Sequence, residues 1–481
     1  MTLYDYPNLY IGGEWRAPST DSRISARSAS TEEVLGYVAS AEEADIDAAV
    51  GAARNAFDDP IGWSMWEPSE RAAVMERFAA ELASRSVEIA TRVSSQNGMP
   101  IRISRMTEGA VPANLLRYYA GLVSAAPTEE RRRSLVSGHT LVRREPIGVV
   151  GAIVPWNFPQ TLTFFKVAPA LAAGCTVVLK PAPETTLDAM MIAEAAVAAG
   201  LPPGVLNIVP GGRRAGSYLV AHASVDKIAF TGSTEAGRNI AEVCARLFRP
   251  ATLELGGKSA AIVLDDADLD ATMKQMFATS LLNQGQSCYI TTRILAPRSR
   301  YDEVTEALTT LASSLPVGDP LDKATAIGPL ATERQRDVVE GYIAIGVAEG
   351  GRITTGGKRP AGFDRGWYLE PTVIADVDNR HTIAREEIFG PVLAVIPYDG
   401  DDEAVALAND SDYGLGGTVW TTDHDRGLGV ARRVRTGTIG VNGYTMDPGA
   451  PFGGVKNSGL GRELGPEGLT AYQQYKSIYV M

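Results

Sequence analysis

Three polar residues stand where their types and neighbours suit chemistry. Cys288 ends Asn283-Gln-Gly-Gln-Ser-Cys288, a polar, glycine-interrupted segment after an apolar run. That flank suits an exposed thiol nucleophile. Cys244, within a helical pattern, and Cys175, between an alanine-rich helix and a strand, fit the small buried hydrophobe that a cysteine usually is. No histidine lies near Cys288 in sequence, so a carboxylate or a water is the more available base. Glu254 ends Ala251-Thr-Leu-Glu254 and precedes two glycines. It is either a general base projecting into a cleft or a surface carboxylate at a turn. Asn157, in Pro155-Trp-Asn-Phe-Pro159, is either a donor to a developing oxyanion or a turn residue bonding its own backbone. Phe230-Thr-Gly-Ser-Thr-Glu-Ala-Gly237 runs from strand into helix, and its small residues leave backbone N–H groups open to a phosphate. It matches neither G-x-G-x-x-G nor a Walker A loop, and such helix starts also serve packing alone.

The elements that must position these residues alternate regularly. From residue 147, short β-branched runs and helical patterns follow one another. Strands are expected at 147–154, 176–179, 205–209 and 227–230, and helices at 164–173, 187–199, 216–223 and 236–247. This order predicts a doubly wound parallel sheet with right-handed crossovers, whose ligands sit at the strands' carboxyl ends. The loops after Val154, Leu179, Val209 and Phe230 then share one rim. A second α/β series follows Glu254, with helices around 269–282, 301–312 and 332–348 and strands around 292–295 and 392–396. The first quarter reads as helix-rich after an edge element at 9–15. Ser40 with Glu43 gives a capping-box pattern, and 71–82 reads as an amphipathic helix. Arg131, Arg132 and Arg133 read as a solvated turn rather than an anion site.

Composition narrows the partners. The 481 residues suffice for several domains, and 45% hydrophobic with 21% charged residues is an ordinary globular balance. A net charge of −12 disfavours nucleic acid or an anionic membrane as the main partner. Three dispersed cysteines and four dispersed histidines argue against a disulfide framework or a Cys/His metal site, and suit a reducing cytoplasm. The longest uncharged stretch carries three prolines and two glycines, which suits strand and loop rather than a membrane helix.

Taken in order, six segments resemble the aldehyde dehydrogenase superfamily: Pro155–Pro159, Phe230–Thr234, Glu254–Ser259, Asn283–Cys288, Glu387-Ile-Phe-Gly-Pro391 and Pro451-Phe-Gly-Gly454. The resemblance implies oxidation of an aldehyde to a carboxylic acid with NAD, NADP being possible. Cys288 would attack the carbonyl, and Asn157 with the Cys288 N–H would hold the oxyanion. Hydride transfer to the nicotinamide would leave a thioester that Glu254 hydrolyses with water. It carries cofactor contacts onto Val154, Pro155, Trp156, Lys180, Gly216, Phe230, Gly232, Ser233, Leu255, Glu387 and Phe389. The family's frequent ribose-binding glutamate falls at Pro183, with Glu184 one place later, which weakens strict preference for NAD. It also implies three parts. A dinucleotide-binding domain takes 1–124 and 145–254, and a catalytic domain takes 255–466. A small β oligomerisation element pairs 125–144 with 467–481, giving a homodimer or homotetramer.

Glu254 favours hydrolysis over transfer to coenzyme A, and the presence of both Cys288 and Glu254 disfavours a non-catalytic relative. A cysteine ester hydrolase would use the same thiol without nicotinamide. By position, Leu162, Phe165, Tyr289, Tyr444, Met446 and Phe452 are candidate substrate-tunnel residues. They are apolar or aromatic, and no basic residue follows Cys288 closely until Arg293. A neutral, hydrophobic aldehyde is expected.

Overall fold

Runs such as Val149–Ile153 (Val-Val-Gly-Ala-Ile) and Thr176–Lys180 are buried along their whole length, as strands covered by helices on both faces must be. In the computed structural model, which describes residues 3–125 and 127–481, they lie at the centre of an eight-stranded sheet. Its strand order is Gly459–Leu460, Ala251–Glu254, Lys227–Thr231, Val149–Ile153, Thr176–Lys180, Leu206–Ile208, Leu9–Ile11, Glu14–Arg16. The five middle strands run parallel, and antiparallel strands close both edges. The chain steps outward one way through Thr176–Lys180 and the other way through Lys227–Thr231. The crevice at the carboxyl end of Val149–Ile153 is therefore the switch point where α/β sheets take ligands. The expected α/β class and parallel sheet are both present.

A second sheet of seven strands is centred on Thr291–Pro297 and Ser259–Val263, which pair in parallel. Of two further three-stranded sheets, one joins Tyr4–Tyr6, Val34–Ala39 and Arg23–Arg27, and the other is antiparallel and joins Glu129–Arg133, His139–Pro146 and Gln473–Val480. The last two strands pair along eight residues, from Gln473 opposite Pro146 to Val480 opposite His139.

Three local expectations need correction. The first long helix, Glu43–Asp58, starts from a capping box of Glu42 and Asp45, not Ser40 and Glu43. The Glu42 N–H donates to Asp45 at 2.9 Å, whereas the Ser40 N–H pairs with the Ser22 carbonyl. Arg131, Arg132 and Arg133 are solvated but lie in an exposed strand, paired with His139–Leu141. The expected helix 269–282 ends at Met276 and continues as a π-helical turn, Phe277–Leu281. Here Ser280 shares its hydroxyl with Thr291 at 2.9 Å, drawing the chain out of regular helix.

Candidate active site

That irregular turn delivers Cys288. After it, Asn283 and Gln284 adopt left-handed backbone (φ 51° and 56°), a conformation that must be held from outside. Buried amides hold it. Gln284 Nε2 donates to the carbonyls of Gly98 (2.7 Å) and Pro329 (2.9 Å), and the Ala331 N–H donates to Gln286 Oε1 at 3.0 Å. Asn283 Nδ2 donates to the Asn157 carbonyl at 3.1 Å, which ties the cysteine loop to the segment following the central strand. The Asn157 side chain returns the tie, its Nδ2 donating to the Gln286 carbonyl at 3.0 Å. Asn97 Nδ2 also donates to the carbonyls of Trp156 and Asn157.

Cys288 and Asn157 both open onto one cavity of about 200 Å³. Its walls are almost wholly apolar, with Phe158, Leu162, Phe165, Tyr289, Met446 and Phe452 prominent. Five of the six tunnel candidates therefore line it. Tyr444 does not. It stacks on Tyr289 with ring centroids 4.9 Å apart and planes 18° apart, its hydroxyl donates to Thr438 at 2.7 Å, and it lines an adjoining cavity with Met446 and Phe452. Thr107, Val111, Thr161, Leu282, Ser287, Pro448 and Leu464 complete the lining of the first cavity.

Burial pushes the Cys288 thiol well above its ordinary range, with the carboxyls of Glu387 and Glu254 adding to the effect. Glu254 itself is 2% exposed, and neither of its oxygens has a protein partner. Burial, and then the nearby Glu463, raise its proton affinity well above that of an ordinary carboxylate. Glu463 is held in a fully buried ion pair with Lys166 (2.8 Å), which also donates to Thr231 Oγ1 at 2.6 Å. This cluster joins residues 297 apart in the chain. Gly453, at φ +150°, lets the Pro451–Gly454 segment close over Glu254, since a Cβ there would lie 2.6 Å from Glu254 Oε1.

The cofactor candidates spread along the strand ends in one order. Val154 is buried at the end of the central strand, where its N–H donates to the Lys180 carbonyl. Next to it, Trp156, following Pro155, meets Phe389 edge to face at 5.4 Å. Lys180 Nζ donates to the carbonyls of Pro181 (2.8 Å) and Gly211 (2.9 Å), leaving one of its three protons free. Burial lowers its pKa to about 8. Gly216 keeps the space beside Lys180 open, because a Cβ would approach that side chain to 3.3 Å. Phe230 lies against Gly232, and Ser233 caps the helix Thr234–Arg246 by accepting from Ala236 N. Leu255 packs on Gly237, whose missing side chain admits it. Glu387 accepts the Gly257 N–H at 3.0 Å, and burial raises it to about 7. An open-sided lysine, a capped helix start and a carboxylate with an unused oxygen fit a dinucleotide laid across the strand ends.

A doubly wound sheet with a thiol and an unpartnered carboxyl at its rim fits an α/β enzyme of the nucleotide-binding class. The sequence matches the aldehyde dehydrogenase family over residues 15–478. It is 56% identical to geranial dehydrogenase of Castellaniella defragrans across the full length of both chains. It is 41% identical to 3-succinoylsemialdehyde-pyridine dehydrogenase of a Pseudomonas species, over 99% of each chain. The fold superposes on a Mycobacterium tuberculosis aldehyde dehydrogenase complexed with NAD+, with a TM-score of 0.97, 49% identity and coverage of 100% and 99%. It also superposes on a mutant aldehyde dehydrogenase C of Pseudomonas syringae complexed with NAD+ and octanal, with a TM-score of 0.94, 42% identity and coverage of 98% and 96%. The chain belongs to the aldehyde dehydrogenase family, and its activity is NAD(P)-dependent aldehyde oxidation.

Proposed function

We propose that the protein oxidises neutral, hydrophobic aldehydes to carboxylic acids by covalent catalysis at Cys288. The observation that carries this reading is the cavity itself, an apolar chamber whose polar end presents the Cys288 thiol and the Asn157 amide together. The thiolate attacks the aldehyde carbon, forming a thiohemiacetal. The developing oxyanion accepts from Asn157 Nδ2 and the Cys288 N–H, donors already fixed before reaction. NAD, when bound, would supply the acceptor for the hydride that leaves this carbon. Glu254 then takes a proton from water, which attacks the resulting thioester and frees the acid and the thiol. Burial suits Glu254 to that task, because a carboxylate of raised proton affinity is the stronger base once ionised.

Support for a hydrophobic substrate comes from the cavity walls and from the relatives, one named for geranial and one bound to octanal. In this reading residues 1–124 and 145–254 hold the dinucleotide, 255–466 carry catalysis, and 125–144 with 467–481 join subunits. Among the described residues no helix is long and apolar enough to cross a membrane, and all three cysteines are free. Free cysteines support a cytoplasmic setting. The test is NADH formation at 340 nm with octanal, butanal and a charged semialdehyde. The proposal expects the highest kcat/KM for octanal, and a preference for the charged aldehyde overturns it.

A further inference from the structure

Glu108 is fully buried in the turn between the helices Ile101–Met106 and Val111–Ala125. Its carboxyl takes no part in the chemistry above, yet it reaches the start of the helix that follows Asn157. The Gln160 and Thr161 N–H groups donate to Glu108 Oε2 at 2.8 and 3.3 Å, and the Thr161 hydroxyl donates to Oε1 at 2.6 Å. Both N–H groups belong to the first turn of Pro159–Ala173, where no intrahelical acceptor exists for them. Both ends of this contact adjoin the aldehyde cavity. Thr161 lines it from one side, while Thr107 and Val111, flanking Glu108, line it from the other. A second buried carboxyl, Asp188, continues the support. Gln160 Nε2 donates to it at 2.8 Å and Gln96 Nε2 at 2.9 Å.

We propose that Glu108 is a positioning residue, a buried strut that fixes the Thr107–Val111 wall of the cavity to the helix start that carries Asn157. The proposal rests on the reading of Asn157 as oxyanion donor. Asn157 lies only three residues before Gln160, so slack in this turn is slack in the amide. An amide displaced from its oxyanion loses rate steeply, because such donors act only at short range and correct angle. The strut works through hydrogen bonds rather than charge. Burial raises Glu108 to about 7, so a neutral carboxyl already occupies the site through part of the working range. A glutamine fits the same pattern. Its oxygen accepts both backbone N–H groups, and the Thr161 hydroxyl turns to accept from its amide.

The experiment compares Glu108→Ala, Glu108→Gln and Thr161→Val, using butanal and octanal as substrates. Melting temperature and NAD affinity are measured alongside. Glu108→Ala is expected to lower kcat about tenfold or more for both aldehydes while NAD affinity stays within twofold. It should also narrow the difference in KM between butanal and octanal, because one cavity wall has lost its anchor. Glu108→Gln should recover most of kcat. A folded Glu108→Ala with wild-type kcat overturns the proposal, as does a Glu108→Gln equally impaired, which would assign the effect to charge. If Glu108→Ala does not fold, Thr161→Val reads the same contact. It should lower kcat severalfold, and wild-type kcat there overturns the strut. Failure of the underlying reading is distinguishable, since Asn157→Ala would then leave kcat unchanged whatever the Glu108 variants do.

Discussion

At the residue scale, the proposed chemistry depends on the Cys288 thiol, whose pKa burial raises. Cys288→Ala should abolish aldehyde oxidation while folding and NAD binding persist, and Cys175→Ala and Cys244→Ala should keep most activity. A steady-state assay of the three variants checks this. The direction of the Cys288 shift also fixes the pH dependence. The reactive form is the deprotonated one, and the raised pKa places the thiol mostly on its neutral side near neutrality. Pre-steady-state acylation should therefore rise with pH across about pH 6–9, with no falling limb from the thiol. A stopped-flow series measures it, and a rate that falls as pH rises refutes it. Lys166 and Glu463 invite a stability test. Glu463→Leu strands a buried ammonium, a change that costs about 3–5 kcal/mol, so the urea midpoint should fall clearly. Cys288, Glu254 and Asn157 could be singled out as candidates because each sits in a distinctive local segment. Glu463 and Glu108 could not, because their partners, Lys166 and Thr161, lie 297 and 53 residues away and no local pattern marks them.

At the scale of elements, the alternation of buried strands and helices was readable from residue 147 onward, and Leu187–Ala199 falls where its periodicity places it. What periodicity missed is where tertiary contacts overrule it. The helix expected to run to Leu282 breaks at Met276, where the Ser280 hydroxyl bonds Thr291, and buried amides then hold the following loop against Asn157 and Gly98. Tyr444, placed in the tunnel by its position in sequence, stacks on Tyr289 and lines an adjoining cavity that shares Met446 and Phe452 with the first. The loop after Thr176–Lys180 carries a prediction of its own. Pro183 starts a short 3-10 turn, Pro183–Thr185, at the position where the family resemblance implies a ribose-binding carboxylate. Without that carboxylate, repulsion of a 2′-phosphate is weakened, and Lys180 keeps one N–H free. NAD should be preferred over NADP by only about tenfold, equivalent to ~1.4 kcal/mol. Pro183→Glu should widen the preference by a further ~1–2 kcal/mol in kcat/KM, the scale of one charge-assisted hydrogen bond. Equal discrimination in both proteins would assign the guarding of the ribose to Glu184 or another group.

At the scale of the whole molecule, the antiparallel sheet stands out as a surface in want of a partner. Leu135 and Val136 at the tip of its hairpin are almost fully exposed, as is Met481, and Tyr479 is 78% exposed. Apolar side chains so placed beside free strand edges suit association with another copy. Light scattering should give at least twice the 51.1 kDa chain mass. Leu135→Asp combined with Val136→Asp should shift the protein toward monomer, and a wild-type enzyme that is monomeric at micromolar concentration would refute the assignment. The sequence marked this element through the alternation of its last strand. It could not show that the strand pairs with His139–Pro146 along eight residues, since that register is set by the folded sheet.

The central claim is that oxidation proceeds through an acyl group on Cys288 which Glu254 then helps water to remove. The most direct measurement mixes Glu254→Gln with NAD and octanal, follows NADH at 340 nm, and determines the mass of the quenched protein. The expected result is one rapid turnover of NADH per active site, then turnover slowed by about 10²-fold or more, with an octanoyl group recovered on the peptide containing Cys288. Steady NADH formation at the wild-type rate with no acylated Cys288 would contradict it.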